Sequence, residues 1–171
     1  MARPDEAEFA AFVHRQSRFV FRVAYAVLRN SHDAEDIVQE VFLKLYRKDA
    51  WREMRNEQAF LARMSWRMAI DRLPEHPAKV ENNSEPLTTA PNPEQVAIGS
   101  DWQSKVHRLI DGLPEDLRQP LALSTIEELT SGEIAQIMDI PEGTVRTRIQ
   151  RARQLLREKL SALEGKHYAA K

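Results

Sequence analysis

A proline-rich segment divides the sequence. Five prolines lie between Pro74 and Pro93, among Asn, Ser, Thr and Glu side chains, without helical apolar periodicity. Such a composition cannot bury a hydrophobic core, and proline interrupts helices and central strands. We therefore predict a flexible linker over residues 74–94, with one folded unit before it and another after it.

The residues before this segment show the periodicity of amphipathic helices. Apolar side chains recur at steps of three and four residues within 8–28 and again within 37–45, so that each set falls on one helical face. A third helix is predicted over 57–73, because the residue before Pro74 disfavours helical geometry. Residues 1–73 are thus predicted to form a three-helix unit.

The residues after the linker also show helical periodicity and strong boundary signals. A helix is predicted over 95–110, ending at Gly112 as a left-handed terminator. Pro114 is predicted to open the next helix, because proline is well tolerated in a first helical turn. Together with the helices described below, these elements define a predicted second unit over 95–163, followed by a tail over 164–171.

A helix-turn-helix is predicted within this second unit. Thr130 is a good N-cap for a short helix, the turn 139–143 contains proline and glycine, and Thr144 is predicted to start a long final helix. No strand-like alternation of useful length occurs in the sequence. The predicted fold class is therefore all-α, with two small helical domains.

The composition restricts where such a chain works and what it binds. Hydrophobic residues make up 42% and charged residues 30%, which suits a folded protein, and there are no cysteines. No apolar run approaches the roughly 18 residues of a membrane span. We expect a cytoplasmic protein without membrane insertion. The formal charge of −1 argues against bulk electrostatic coating of nucleic acid, so any DNA binding must be local or assisted.

The final helix has two contrasting faces. Its apolar residues lie on one inward stripe, and arginine, threonine and glutamine side chains occupy the opposite face. These donors suit phosphates and base edges, which indicates a major-groove reader, although a solvated charged face is the alternative. The predicted DNA-contacting residues are Thr144, Arg146, Thr147, Gln150, Arg151 and Arg153.

The position of these residues along the helix suggests different roles. The N-terminal end of a recognition helix enters the groove, so Arg146, Thr147 and Gln150 are candidates for base or near-base contacts. Arg151 and Arg153 are expected to contact phosphates.

The third helix carries a tryptophan between arginines. Arg63, Trp66 and Arg67 are predicted to share one face, and aromatic rings flanked by cations can hold the unstacked bases of a single strand. The alternative is that Trp66 packs under the linker or against a neighbouring helix.

Several motifs together resemble regions 2 and 4 of the group IV, or extracytoplasmic-function, sigma factors of the sigma-70 family. The resemblance covers nearly the whole chain except the linker and the last residues. The motifs are DAEDIVQEVF at 33–42, AFLAR at 59–63, DRL at 71–73, LPEDL at 113–117, EIA at 133–135 and EGTVRTRIQRAR at 142–153.

The resemblance implies specific partners. Asp36, Gln39 and Glu40 match the residues by which sigma factors engage the β′ clamp helices of core RNA polymerase, and the β flap is a second implied contact. Their alternative is a solvated acidic face. The third helix would capture the melted minus-10 strand and the final helix would read the minus-35 duplex of promoter DNA. An anti-sigma factor is also expected, and the isolated chain should bind promoters weakly.

Two departures from the family pattern affect particular contacts. The basic cluster that many relatives carry after the third helix is replaced by Pro74-Glu-His-Pro, which puts contacts to the upstream backbone in doubt. Ser124 stands where relatives often have an arginine able to touch a phosphate, so the second unit could dock differently.

Two alternative functions fit parts of the sequence. A dimeric helix-turn-helix regulator would bind palindromic duplex DNA without polymerase. A sigma mimic that titrates a regulator would not need the recognition arginines. An enzyme is not expected, because the five histidines lack metal-ligand spacing and there is no glycine-rich phosphate loop. We expect no cofactor and no metal.

Overall fold

The computed structural model describes residues 4–74, 96–126 and 129–169. Within these ranges the chain forms α-helices and one 3₁₀ turn, Ala50–Arg52, and no strand, so the predicted all-α fold is confirmed. Apart from Pro74, the predicted linker lies outside the described residues. The helices are α1 Pro4–Leu28, α2 Ser31–Lys48, α3 Glu57–Arg72, α4 Val96–Asp111, α5 Glu115–Ser124, α6 Ser131–Met138 and α7 Glu142–Ala169.

The N-terminal helices α1–α3 pack around a shared apolar core. α1 lies against both α2 and α3, and Val23, Ile37 and Leu61 are fully buried where these helices meet. Asn30 and Asn56 cap α2 and α3, each accepting a hydrogen bond from the backbone N–H three residues later. The apolar periodicity of the sequence therefore predicts this packing correctly.

The C-terminal helices contain the predicted helix-turn-helix. Thr130 caps α6 in a reciprocal arrangement with Glu133, and α6 packs against α7. α7 begins at Glu142, two residues before the predicted start at Thr144, because the Pro141 carbonyl already accepts the Thr144 N–H at 3.0 Å. At its other end α7 continues to Ala169, into the residues predicted to be a tail.

The prediction of a left-handed Gly112 is wrong. None of the described glycines has a positive φ, and the Gly112 N–H donates to the Arg108 carbonyl at 3.0 Å. The left-handed positions are instead Arg29, Asp49 and Asp139, with φ of 53°, 50° and 54°. Aspartate tolerates this conformation through local hydrogen bonds, but for arginine it is uncommon and must be held by surrounding contacts.

The N-terminal and C-terminal helices are packed against each other. α1 contacts α5 and α3 contacts α6, and the buried apolar residues of both halves form one hydrophobic cluster. Arg29, directly after α1, donates from Nε to Asp111 Oδ1 at 2.6 Å and lies 3.1 Å from His107 Nδ1 through its Nη2. Arg22 donates to the Thr125 carbonyl at 2.7 Å. Polar and apolar contacts therefore both join the two halves.

The environment of His107 favours its neutral form. Burial lowers the pKa of His107 below its ordinary value, the Arg29 guanidinium lowers it further, and Asp111 opposes the shift. A neutral imidazole can accept the Arg29 N–H, whereas a protonated one cannot. The hydrogen bond between Arg29 and His107 thus requires an unprotonated His107.

We predict that Thr130→Ala lowers the free energy of unfolding by about 1 kcal/mol, because the N-terminal N–H groups of α6 lose their capping oxygen. Urea unfolding followed by circular dichroism measures this change. Thr130→Ser keeps the oxygen and is the control. Equal losses in both variants would contradict a capping role.

We predict that acidification destabilises the wild type more than His107→Asn. Because the pKa of His107 is lowered by folding, its contribution to stability is complete above its ordinary value of about 6.5 and is lost as pH falls through the folded pKa. Urea unfolding between about pH 7.5 and pH 5 tests this prediction. His14→Asn, at an exposed histidine, should keep the wild-type pH dependence.

Candidate functional site

The final helix presents its polar face to solvent. Val145, Ile149 and Ala152 are buried against the rest of the C-terminal helices, as the wheel of this helix predicts. Thr144 is half-buried, and the other predicted DNA-contacting residues are exposed, so a ligand can reach their side chains. These exposed residues are Arg146, Thr147, Gln150, Arg151 and Arg153.

An open groove of about 540 Å³ runs between α5, α6 and α7. Arg146, Gln150 and Arg153 line it together with Ser124 and Ser131, which come from the two preceding helices. Guanidinium and hydroxyl groups are suited to phosphate oxygens. Ser131 was not among the predicted contacts, because only the tertiary packing brings it beside α7.

Glu142 moderates the positive charge at the start of α7. Its Oε1 accepts hydrogen bonds from Arg146 Nη2 at 2.6 Å and from Ser131 Oγ at 2.8 Å. The carboxylate therefore joins α6 to α7 and orients Arg146, but it also repels an approaching phosphate.

The predicted polymerase-binding residues share one face of α2. Gln39 is exposed, whereas Asp36 and Glu40 are half-buried. Arg72 on α3 pairs with both carboxylates, lying 3.6 Å from Asp36 and donating to Glu40. This face of α2 is therefore not purely acidic, because the Arg72 guanidinium from α3 neutralises part of its negative charge.

The same face of α2 has an apolar centre that sequence reasoning missed. The Leu43 and Tyr46 side chains are 52% and 50% exposed, and their spacing from Gln39 places all three on one side of the helix. The exposure of Leu43 and Tyr46 could have been predicted from the sequence, since neither residue lies on the buried stripe of Ile37, Val41 and Leu45.

A second groove of about 420 Å³ borders this face. It lies between α1 and α2 and is lined by Gln39, Glu35, Val38, Arg18 and Phe21, together with Ser17. The sequence did not indicate the contribution of α1 to this surface. A partner that contacts Gln39 could therefore also reach α1.

The three residues of α3 predicted to contact the minus-10 strand differ in exposure to solvent. Arg63 and Arg67 are exposed, but Trp66 is only 8% exposed. α3 packs against α1, α2 and α6, and the structure does not present Trp66 at the surface with its two arginine neighbours. The burial of Trp66 agrees with the alternative prediction that its ring packs against a neighbouring helix.

The first turn of α2 brings together His32, Asp33 and Asp36. Their potential ligand atoms lie within 4.8 Å of one another, a grouping that the spacing of the histidines did not reveal. Two of the three residues are exposed, and Asp36 is already paired with Arg72. We assign no metal to this group. Separately, no described helix has the length and apolar character needed to cross a membrane.

Two family models match the chain. Sigma-70 region 2 matches residues 12–76, which include α2 and α3, and Sigma-70 region 4 matches residues 103–156, which include the helix-turn-helix. The fold and the matches define the class as a two-region protein of sigma-70 type.

Curated relatives specify the class further. The chain is 32% identical to the ECF RNA polymerase sigma factor SigW of Bacillus subtilis, over 93% of this chain and 92% of that protein. It is 34% identical to the ECF RNA polymerase sigma-E factor of Escherichia coli, over 94% of this chain and 92% of that protein. The chain belongs to the ECF RNA polymerase sigma factors.

Solved structures share the fold. CnrH in complex with the cytosolic domain of CnrY has a TM-score of 0.63 and 19% identity, covering 92% of this chain and 90% of that chain. The sigma factor RpoE of Bartonella quintana, in complex with the anti-sigma factor NepR, has a TM-score of 0.63 and 20% identity, covering 90% of this chain and 97% of that chain. These likenesses support the helical arrangement.

We predict that Glu142→Gln strengthens duplex DNA binding at low salt. The substitution removes a negative charge beside Arg146, so the slope of log K against log salt should become steeper by up to about 1. Fluorescence anisotropy with a labelled duplex measures both quantities. Glu158→Gln is the control, because Glu158 is exposed further along α7 and accepts from Gln154. Equal effects of the two substitutions would contradict the local role of Glu142.

Proposed function

We propose that this protein binds core RNA polymerase through α2, reads a minus-35 duplex through α7 and captures the melted minus-10 strand through α3. The observation that carries the proposal is that one chain has two unlike exposed surfaces. One is a helix face with an apolar centre, and the other is a groove lined by side chains that can donate hydrogen bonds to phosphate oxygens. The family membership supports this division of roles.

The α2 face has the composition of a protein-binding surface. An apolar centre formed by Leu43 and Tyr46, with polar Gln39 at its edge, is typical of interfaces that exclude water at the centre and bond at the rim. The neighbouring groove adds Arg18 and Phe21 from α1. The proposed partner is the β′ clamp helices, with Asp36 and Glu40 at the polar edge.

The α7 face has the composition of a DNA-binding surface. Arg146, Thr147 and Gln150 lie near its N-terminal end, where a recognition helix enters the major groove. Arg151 and Arg153 are placed further along for phosphate contacts, with Ser124 and Ser131 across the groove. Serine hydroxyls would then replace the arginine that many relatives carry at the position of Ser124.

Minus-10 capture is the part of the proposal that requires rearrangement. Arg63 and Arg67 are exposed and can contact a strand directly, but Trp66 must leave its buried position before a base can stack on it. The proposed region 2 comprises residues 1–73 and the proposed region 4 comprises residues 95–163.

The proposed role is recognition without turnover, in the cytoplasm, where the polymerase performs the chemistry of initiation. The solved structures of CnrH and RpoE are complexes with another protein, in the second case named as an anti-sigma factor. By analogy, an anti-sigma factor that covers the α2 face, and the β flap as a contact for region 4, are proposed partners.

We predict that Gln39→Ala weakens association with core polymerase about tenfold, or about 1.4 kcal/mol, which would place Gln39 among the minority of interface residues whose truncation costs more than 1 kcal/mol. We predict that Arg146→Ala keeps this association but relaxes start-site choice, because a lost base contact costs about 1–3 kcal/mol. Run-off transcription from genomic fragments and a polymerase binding titration measure the two effects.

The matched controls are Lys48→Ala on α2 and Glu158→Ala on α7, both exposed and outside the proposed contacts. Each should behave as the wild type. If no new start sites appear with any variant, and the protein alone protects a symmetric duplex, the protein is a dimeric regulator and the proposal is wrong.

A further inference from the structure

Arg146 is held by a carboxylate at the start of the final helix. Glu142 Oε1 accepts a hydrogen bond from Arg146 Nη2 at 2.6 Å, and the same oxygen accepts one from Ser131 Oγ at 2.8 Å. The second oxygen, Oε2, lies over the first turn of α6, 3.8 Å from the position that a Cβ on Gly132 would occupy. The Glu142 carboxylate is therefore fixed by α6 as well as by α7, and it orients Arg146 in turn.

This ion pair is too exposed to contribute much to stability. The Arg146 and Glu142 side chains are 70% and 44% exposed, and solvent screens pairs of this kind. The contact instead restricts the motion of Arg146, because a free arginine side chain samples many rotamers. A guanidinium that is oriented before its ligand arrives loses less entropy when it binds.

A guanidinium held at one nitrogen keeps its other donors for a base. The group is planar, with its N–H donors in a rigid fork, and Glu142 occupies one donor at Nη2. In the major groove the commonest specific partner of this fork is guanine, because O6 and N7 are both acceptors. Adenine presents a donor beside its N7 acceptor. A guanidinium fixed in one plane therefore favours guanine.

The neighbouring side chains on α7 are less suited to guanine. Thr147 is exposed, but its Oγ1 already donates to the Gly143 carbonyl at 2.9 Å. A hydroxyl has a single proton, so Thr147 can only accept from a base while this bond is kept. Gln150 carries an amide, which suits adenine. Guanine recognition near the start of α7 thus falls to Arg146.

We propose that Glu142, supported by Ser131, is a positioning residue that fixes the Arg146 guanidinium to read one guanine of the minus-35 duplex. The inference rests on the proposed function, because α7 must enter the major groove of that duplex. Glu142 acts through Arg146 and does not contact the base. Its charge also repels phosphates, so it lowers affinity for every duplex while raising selectivity for one base.

Selection with the complete holoenzyme tests this role. Core polymerase carrying the full-length protein is incubated with a duplex library randomised over the minus-35 region, and the retained sequences identify the preferred bases. One guanine should lose its selection in Arg146→Ala. At that position, competition binding then measures the affinity for all four base pairs in Glu142→Ala, Glu142→Gln and Ser131→Ala.

The wild type should prefer guanine about 10–100-fold at this position. Glu142→Ala should reduce the preference to about threefold or less, because the Arg146 guanidinium is no longer oriented. Its binding to the other base pairs should be equal or tighter, since a negative charge is lost. Glu142→Gln loses the same charge, but its amide oxygen still accepts from Arg146, so most of the preference should remain. Ser131→Ala should lie between these two variants.

The control is Glu158→Gln. It removes a carboxylate from the same helix, where Glu158 accepts a hydrogen bond from Gln154, and it should keep the wild-type preference. Circular dichroism and urea unfolding show whether each variant folds as the wild type does. Because the readout is a ratio between base pairs, a uniform change in affinity does not alter it.

Three results would overturn the positioning role. The first is an unchanged guanine preference in Glu142→Ala, and the second is an equal loss in Glu142→Ala and Glu142→Gln, which would indicate an effect of charge alone. The third is selection of minus-35 sequences without any guanine that depends on Arg146. If the holoenzyme selects no sequence in the minus-35 region, the proposed function itself fails, and the inference fails with it.

Discussion

The burial of α1 is the constraint on which the rest of the structure depends. Val20, Val23 and Val27 are fully buried, and the helix contacts α2, α3 and α5. One apolar helix therefore supports the proposed polymerase face, the proposed strand-capture helix and the C-terminal half together. A change in the orientation of α1 would alter all three, so the interfaces are mechanically connected through a single element.

Local patterns were predictable from the sequence, and tertiary relationships were not. The buried stripe of Val145, Ile149 and Ala152 and the Thr130 cap follow from spacing within one or two helical turns. Gly112 was mispredicted although its N–H bonds locally to Arg108, because a glycine after a helix permits a left-handed φ without requiring it. The burial of Trp66, which was left open, depends on helices distant in sequence. Ser131 joined the α7 groove only because α6 packs beside it.

Both proposed interfaces hold some of their charges in internal pairs. Arg146 is hydrogen-bonded to Glu142, and Arg72 forms ion pairs with Asp36 and Glu40. A phosphate or a partner residue must replace these pairs, which reduces the net gain from each new contact and penalises ligands of the wrong shape. The near-neutral formal charge of −1 agrees with a protein whose specificity comes from positioned donors.

The contacts between the halves also set an order of events during synthesis. Arg22 and Thr125 are 103 residues apart in the chain, and Arg29 and Asp111 are 82 apart. At about 5–20 residues per second, the ribosome needs roughly 5–20 s to deliver Thr125 after Arg22. During that interval α1–α3 can fold while the surface that later meets α5 is still uncovered. In a nascent chain, this surface of α1 is thus exposed to other proteins before α5 covers it.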